Sequence, residues 1–486
     1  MWWGLPPPRF VGDPMNKANL LLRKVYTVSK KHNSPRLFLQ NFVCETAGLE
    51  HGMDLFVRID ENEKMIVIQN RVFEESDNIH EVSVSSRVNR ISGEPRPLVD
   101  TCGSKYSSIL CIQDKIEVSV YKHGDFSQII VRPLRFRLFE SDTFESPSDE
   151  RIRLLSVCAG AGIGTSMFVD SGYYTAVQEI ELEEDSAEVI KHNFPYSFLF
   201  QGDLKDCHTV AKADVAFVSL DCSSHSSIGP GDQGYFNNLI LGTYKILEAA
   251  EPRVVFFENV PGFYESPSFN DLRELLTPKY PYFIGPSQIN SYDFGSIALR
   301  KRTYSLFLQD QEDFEQFREP KAPIFRRHKL SHYLDPAGTQ HIWKSVDAWF
   351  ETFSKKVKKN NSWAERSTNK TFVSADDVEL QCIPRRYRSH SASNSYVLNE
   401  AGDQWRFLTI TELRKIFSIP AWFRFPKHIP EYRIYEMIGQ SVCGRVISAY
   451  ANEICAMFFR RHSGLKKQKT EYGLARDQDG QFSFAF

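Results

Sequence analysis

The stretch from Arg151 to Tyr173, RIRLLSVCAGAGIGTSMFVDSGY, leaves this chain few folds to choose from. Ile152, Leu154, Leu155 and Val157 make a run of buried-strand type, and Gly160, Gly162 and Gly164 then release the backbone into the start of a helix. Strand, glycine turn and helix is the opening unit of a parallel α/β sheet, where backbone can come close to a ligand at the helix start. The glycines do not make the strict dinucleotide pattern, so the turn by itself does not name the ligand.

The next strand ends sharpen the picture. Gln178-Glu179 closes the following apolar stretch, and Gly202-Asp203 closes a third, Ser197 to Phe200. A fourth, Val215 to Leu220, breaks into small polar residues at Cys222, and a fifth, Arg253 to Phe257, runs into Glu258-Asn259-Val260-Pro261-Gly262. Ligands in open α/β sheets sit beyond the carboxyl ends of the strands, where an acidic side chain can accept hydrogen bonds from ribose hydroxyls. The series therefore suggests a nucleoside-bearing cofactor in a doubly wound sheet, against the alternative of incidental acids. A lone cysteine is more often a small core hydrophobe. Beside Glu258, however, Cys222 can attack the carbon of a heterocycle that the carboxylate holds through a ring nitrogen. Further on, FGSIALRKRTYSLFL carries Arg300 and Arg302 into a strand, where residues separated by one share a face.

Composition narrows the class. The 486 residues suggest several domains, and 42% hydrophobic with 25% charged residues are those of an ordinary globular protein. Nine scattered cysteines without a CxxC pair read as reduced thiols of a cytoplasmic protein, not a disulfide frame or a metal site. The chain shows neither a signal peptide nor an apolar run of membrane-spanning length. A net charge of −2 gives no global sign of nucleic-acid binding, so any such sign must be local.

The rest of the chain divides around the α/β core. Residues 1–34 read as a flexible leader and 35–137 as a β-rich domain with two similar hairpin patterns, Ala47 to Gln69 and Ile109 to Pro133. The acidic, Ser- and Pro-containing 138–150 reads as a linker, 151–308 as the catalytic domain, 309–404 as an insertion, 405–460 as a return to the sheet and 461–486 as a mobile tail. Between Lys321 and Arg388 there are fourteen Lys and Arg against seven Asp and Glu. Clusters such as Arg326-Arg327-His328-Lys329, Lys355 to Lys359 and Arg385-Arg386-Tyr387-Arg388 suit phosphates, although charge runs are more often solvated faces. Thr409 and Glu412 form a capping box ahead of a helix.

Taken in order, AGAGIG, QEIE, GDL, a strand-end Cys, ENV, FG with RKR, and a late IGQSV resemble the cytosine-C5 methyltransferase family. The resemblance covers Arg151 to Leu308 and Trp405 to Ile454. It implies a Rossmann-like catalytic domain with a small target-recognition insertion, S-adenosyl-L-methionine as cofactor, no metal, and double-stranded DNA as partner. A restriction nuclease is a further candidate partner. By the same resemblance Cys222 is the nucleophile adding to cytosine C6, Glu258 binds N3, and Arg302, with Arg300 beside it, binds O2. Cys158, Ala159, Gly160, Gly162, Glu179, Ile180, Asp203, Leu204, Asp221, Gln440 and Ser441 match the cofactor contacts. Methylation of tRNA cytosine and a DNA-binding protein that has lost turnover are the competing functions.

The chain departs from the family in places. Asp221-Cys222-Ser223 replaces the usual Pro-Cys-Gln, and Ser156, Cys158 and Ala298 replace an Asp, an aromatic and a Gln. Asp221 disfavours the neighbouring thiolate if it faces the sulfur, and caps the following turn if it points away. The N-terminal hairpins resemble, in layout, the swapped-hairpin barrels of the AbrB and SymE type, which bind DNA; generic paired hairpins are the plainer reading.

Overall fold

The structure, a computed structural model, describes residues 20–74, 78–89, 91, 93–124, 126–134, 142–145, 150–221, 235–359, 370–463, 475–476 and 482–483. Among these, thirteen strands join into a single sheet. In chain order they are β1 (Leu20–Thr27), β2 (Asp54–Asp60), β3 (Met65–Gln69), β4 (Ile79–Ser83), β5 (Lys115–His123), β6 (Phe126–Pro133), β7 (Ile152–Val157), β8 (Tyr174–Glu181), β9 (Phe198–Gln201), β10 (Val215–Val218), β11 (Val254–Asn259), β12 (Tyr282–Asn290) and β13 (Lys301–Leu308). Their spatial order is β12-β13-β11-β10-β7-β8-β9-β1-β5-β6-β3-β2-β4.

From β7 to β11 the strands run parallel, and β8 to β11 carry four to eight residues each, nearly all buried. Such strands are covered on both faces, which is why their sequences are continuous apolar runs without alternation. Helices Ile163–Asp170, Glu184–Asn193 and Tyr235–Ala250 connect them, and the late helix Gly444–His462 packs on the first, where Tyr174 Oη donates to Ala451 O at 2.6 Å. The capping box forms: Glu412 N donates to Thr409 Oγ1 at 3.2 Å and Thr409 N to Glu412 Oε2 at 2.9 Å.

The N-terminal half is not separated from this sheet. Residues 20–34, expected within a flexible leader, form β1 and the short strand Ser29–Lys31. β1 pairs in parallel with β9 and antiparallel with β5, so it is a central strand. Its charges hid that role in the sequence. Arg23 and Lys24 are buried, Arg23 against Glu117 of β5 at 3.2 Å and Lys24 against Glu184 at 2.7 Å. The two hairpins are present as β2–β3 and β5–β6, and they lie side by side through the β3–β6 ladder. Part of the expected linker is also ordered, since Asp142–Phe144 pairs in parallel with Thr209–Ala211.

Trp349, Ala392, Tyr396 and Trp405 form a small separate core that joins residues of the expected insertion to the start of the expected return segment, beside the amphipathic helix Val346–Lys359. Its basic clusters are partly engaged within the protein. Arg327 stacks on Tyr292 at 3.4 Å and Arg388 pairs with Glu431 at 3.4 Å, while Tyr387 is fully buried.

Candidate active site

The strand ends of β7 to β11 open onto a cavity of about 240 Å³. After β7 the chain turns sharply: Cys158, Gly160 and Gly162 all have positive φ, and Gly162 caps the following helix. A side chain at Gly162 would stand 2.9 Å from the Phe194 ring, in a conformation L residues rarely adopt. Gly160 lines the cavity and has open space where its side chain would be. The half-buried Cys158 lines the same wall, and desolvation pushes its thiol well up.

Two carboxylates face the cavity from adjacent strand ends. Glu181, last residue of β8, accepts Gly160 N at 2.7 Å and Glu183 N at 2.8 Å, and burial raises its carboxyl to about 7. Asp203, just beyond β9, accepts Lys205 N at 3.2 Å. Ile180, Leu182 and Leu204 supply apolar walls between them. Acceptors for hydroxyl and amine groups, apolar walls for a purine and an unobstructed glycine turn together fit an adenosine-bearing cofactor.

Across the cavity stands Glu258, at the end of β11 and 5% exposed. Ser219 Oγ donates to its Oε2 at 2.9 Å, and Arg302 Nε pairs with its Oε1 at 3.1 Å. The antiparallel ladder between β11 and β13 sets this pair side by side, with Glu258 opposite Tyr304. Asn259 Nδ2 donates to Leu220 O at 3.2 Å and so ties the ENV turn to the residue before Asp221. Asp221 is exposed at the cavity wall, with Gln440 and Ser441 on the other side.

Of the expected site residues, Cys158, Ala159, Gly160, Ile180, Asp203, Leu204, Asp221, Glu258, Arg302, Gln440 and Ser441 line this one cavity. Cys222 lies outside the described residues. Gly162 sits behind the wall, against Ile190 and Phe194. Glu179 is displaced from the expected role: it lies inside β8, fully buried, where Ser197 Oγ donates to its Oε2. The strand continues two residues past the polar Gln178-Glu179 pair, so the carboxylate at its mouth is Glu181. Arg300 is displaced as well. β13 begins at Lys301, so the shared-face rule does not reach Arg300, which is buried and donates to Ile383 O at 3.1 Å and to Ser441 O. Glu181, Ser219 and Arg385 were missed; counting Glu181 as the last residue before the turn was the available signal for the first. Asp335, His341 and Glu412 also converge, but Arg406 Nη1 and Nη2 occupy both oxygens of Glu412 at 2.8 and 2.7 Å, which argues against a metal centre there.

A family model described as C-5 cytosine-specific DNA methylase matches residues 152–456, more than half of the chain. The chain belongs to this family. Among curated relatives, the Type II methyltransferase M.Bsp6I of Bacillus sp. (strain RFL6) is 26% identical over 178 residues, 35% of this chain and 56% of that protein. The Type II methyltransferase M.MspI of Moraxella sp. is 23% identical over 263 residues, 51% of this chain and 57% of that protein. The chain thus spans about half the length of the curated relatives it matches. The Entamoeba histolytica methyltransferase EhMeth shares the fold at 17% identity and a TM-score of 0.50, over 63% of this chain and 98% of its own. C-5 methylases use S-adenosylmethionine, which accords with the carboxylate pair and glycine turn. No helix among the described residues is long and apolar enough to cross a membrane.

Proposed function

We propose that this protein methylates C5 of cytosine in double-stranded DNA, with Cys222 as nucleophile and the target base flipped into the cavity. The observation that carries the reading is Glu258, held on both oxygens by Ser219 and Arg302 opposite Glu181 and Asp203. A base in front of Glu258 presents N3 to the carboxyl and O2 to the arginine. Cytosine C5 is a poor nucleophile until a thiolate adds at C6 and moves electron density onto C5. Glu258 stabilises the charge that develops at N3 during this addition, so its contribution grows toward the transition state. Bound S-adenosylmethionine supplies an electrophilic methyl group. Loss of the C5 proton and expulsion of the Cys222 thiolate then restore the aromatic ring. Flipping the base out of a duplex costs a few kcal/mol, which the protein's contacts to the extruded base must offset.

The test is covalent capture on DNA carrying 5-fluorocytosine, whose C5 cannot lose a proton. With cofactor present, the wild type is expected to form a denaturant-resistant complex and Cys222→Ser none. Transfer of a tritiated methyl group to DNA but not to tRNA is expected alongside. Label on tRNA alone, or on neither with no trapped complex, would refute the proposal.

A further inference from the structure

A side chain from residues 309–404 reaches the cavity. Arg385 lines the cavity, and its Nη2 lies 3.2 Å from Glu183 Oε1 and 3.8 Å from Glu436 Oε2. Glu183 belongs to the turn that presents Glu181, since Glu183 N donates to that carboxylate. The other oxygen of Glu183 pairs with Arg433, whose guanidinium also holds Asp185 at 2.8 Å and Glu436 at 2.6 Å. Arg385, Glu183, Arg433 and Glu436 thus form a closed cycle of ion pairs, with Asp185 of the helix Glu184–Asn193 attached at Arg433, and Glu183 and Arg385 of this cycle line the cavity.

An isolated ion pair at a surface contributes little, because two long side chains must be held in one geometry. Here the backbone beneath Arg385 is already fixed. Arg300 donates to Ile383 O and, from its second terminal nitrogen, to Ser441 O, so one buried guanidinium joins the insertion to the cofactor wall. At Gly439 a side chain would stand 2.2 Å from Pro384 O, so the helix Glu431–Gln440 meets the segment backbone to backbone, and only glycine permits that approach.

We infer that Arg385, carried on a segment fixed by Arg300 and by the approach at Gly439, retains the bound cofactor and couples its release to the state of the recognition insertion. The inference rests on the proposed function for the identity of the ligands. DNA seated on the insertion steadies this wall, and by thermodynamic reciprocity the cofactor product strengthens DNA binding by the same factor.

Binding of S-adenosylhomocysteine, the demethylated cofactor, tests this without turnover. Its dissociation constant and release rate are measured for the full chain as wild type, Arg385→Ala and Arg385→Lys, with and without a short DNA duplex. Arg385→Ala is expected to weaken binding about fivefold, the upper end for a surface ion pair, mostly through faster release, with Arg385→Lys in between. The duplex is expected to tighten binding to the wild type and to leave Arg385→Ala unchanged. Arg385→Ala binding like the wild type would overturn the inference alone. A duplex that tightens both proteins equally would overturn the coupling, and a wild type that does not bind S-adenosylhomocysteine would overturn the inference together with the proposed function.

Discussion

Replacing Glu179 by glutamine is expected to change stability with a sign that depends on pH. Glu179 sits in the middle of the sheet; its Oε2 accepts Ser197 Oγ, while Oε1 has no hydrogen-bond partner among the described residues. The nearby Lys191 does not neutralise it by contact, because its Nζ donates to Leu21 O at 2.9 Å and Pro195 O at 3.0 Å. Burial lifts the carboxyl from 4.5 to about 8. The folded state therefore holds a proton that the unfolded chain has lost, and this contribution to stability is complete below pH 4.5 and drains away as the pH rises to about 8. At about 1.4 kcal/mol per unit, the wild type loses up to about 5 kcal/mol across that interval. Glutamine does not titrate, but its amide leaves two buried N–H donors unmatched where the protonated carboxyl leaves one O–H, and the additional donor costs about 1–3 kcal/mol. Glu179→Gln is thus expected to melt below the wild type near pH 5 and above it near pH 9. Thermal unfolding midpoints of the two proteins across this range, each pair in one buffer, are the measurement. Curves that stay parallel would refute the buried-proton account. As a control, Glu179→Gln leaves S-adenosylhomocysteine affinity unchanged at neutral pH, as expected of a residue away from the cavity.

Two further outcomes follow from contacts already described. Ser219→Ala removes the donor to Glu258 Oε2 and is expected to lower kcat about tenfold with little change in KM, a split that steady-state methylation assays resolve. An equal rise in KM with kcat intact would make Ser219 a binding residue. Deleting residues 1–134 strips β1 from β9 and exposes the edge beside Gly202, whose missing side chain already lies 3.0 Å from Val25. The remaining fragment is expected to be insoluble or to melt without cooperativity, and a soluble fragment that still binds S-adenosylhomocysteine would contradict this.

What the sequence made legible was the chemistry of strand ends. Asp203 and Glu258 line the cavity where apolar runs end abruptly, and Arg302 joins them from the start of the antiparallel β13, because in this sheet topology those ends converge on one side. Glu179 failed for a local reason: polar residues inside a buried strand look like its end. Arg300 failed because side-chain parity holds only within a strand, and one residue of offset removed it from the rule. β1 was hidden by Arg23 and Lys24, whose charges are matched by Glu117 and Glu184 far along the chain. Arg385 was visible only as one cation among many, since its partners Glu183 and Glu436 are brought to it by the fold. Buried or bridging charges are the least readable residues from sequence, because what makes them tolerable lies elsewhere in the chain.

The unbroken sheet has a mechanical consequence. Thirteen strands spaced about 4.8 Å apart make a plate about 58 Å wide measured along its curve, from β4 at one rim to β12 at the other. To swing the N-terminal half against the half that bears the cavity, the β1–β9 and β1–β5 ladders would have to shear, with the Arg23–Glu117 and Lys24–Glu184 pairs beside them. Flexing is left to what stands on the rim of the plate, the turns after its strands and the insertion facing them. The far hairpins are thereby joined, through β1 and its ladder to β9, to the strand that runs on into Asp203.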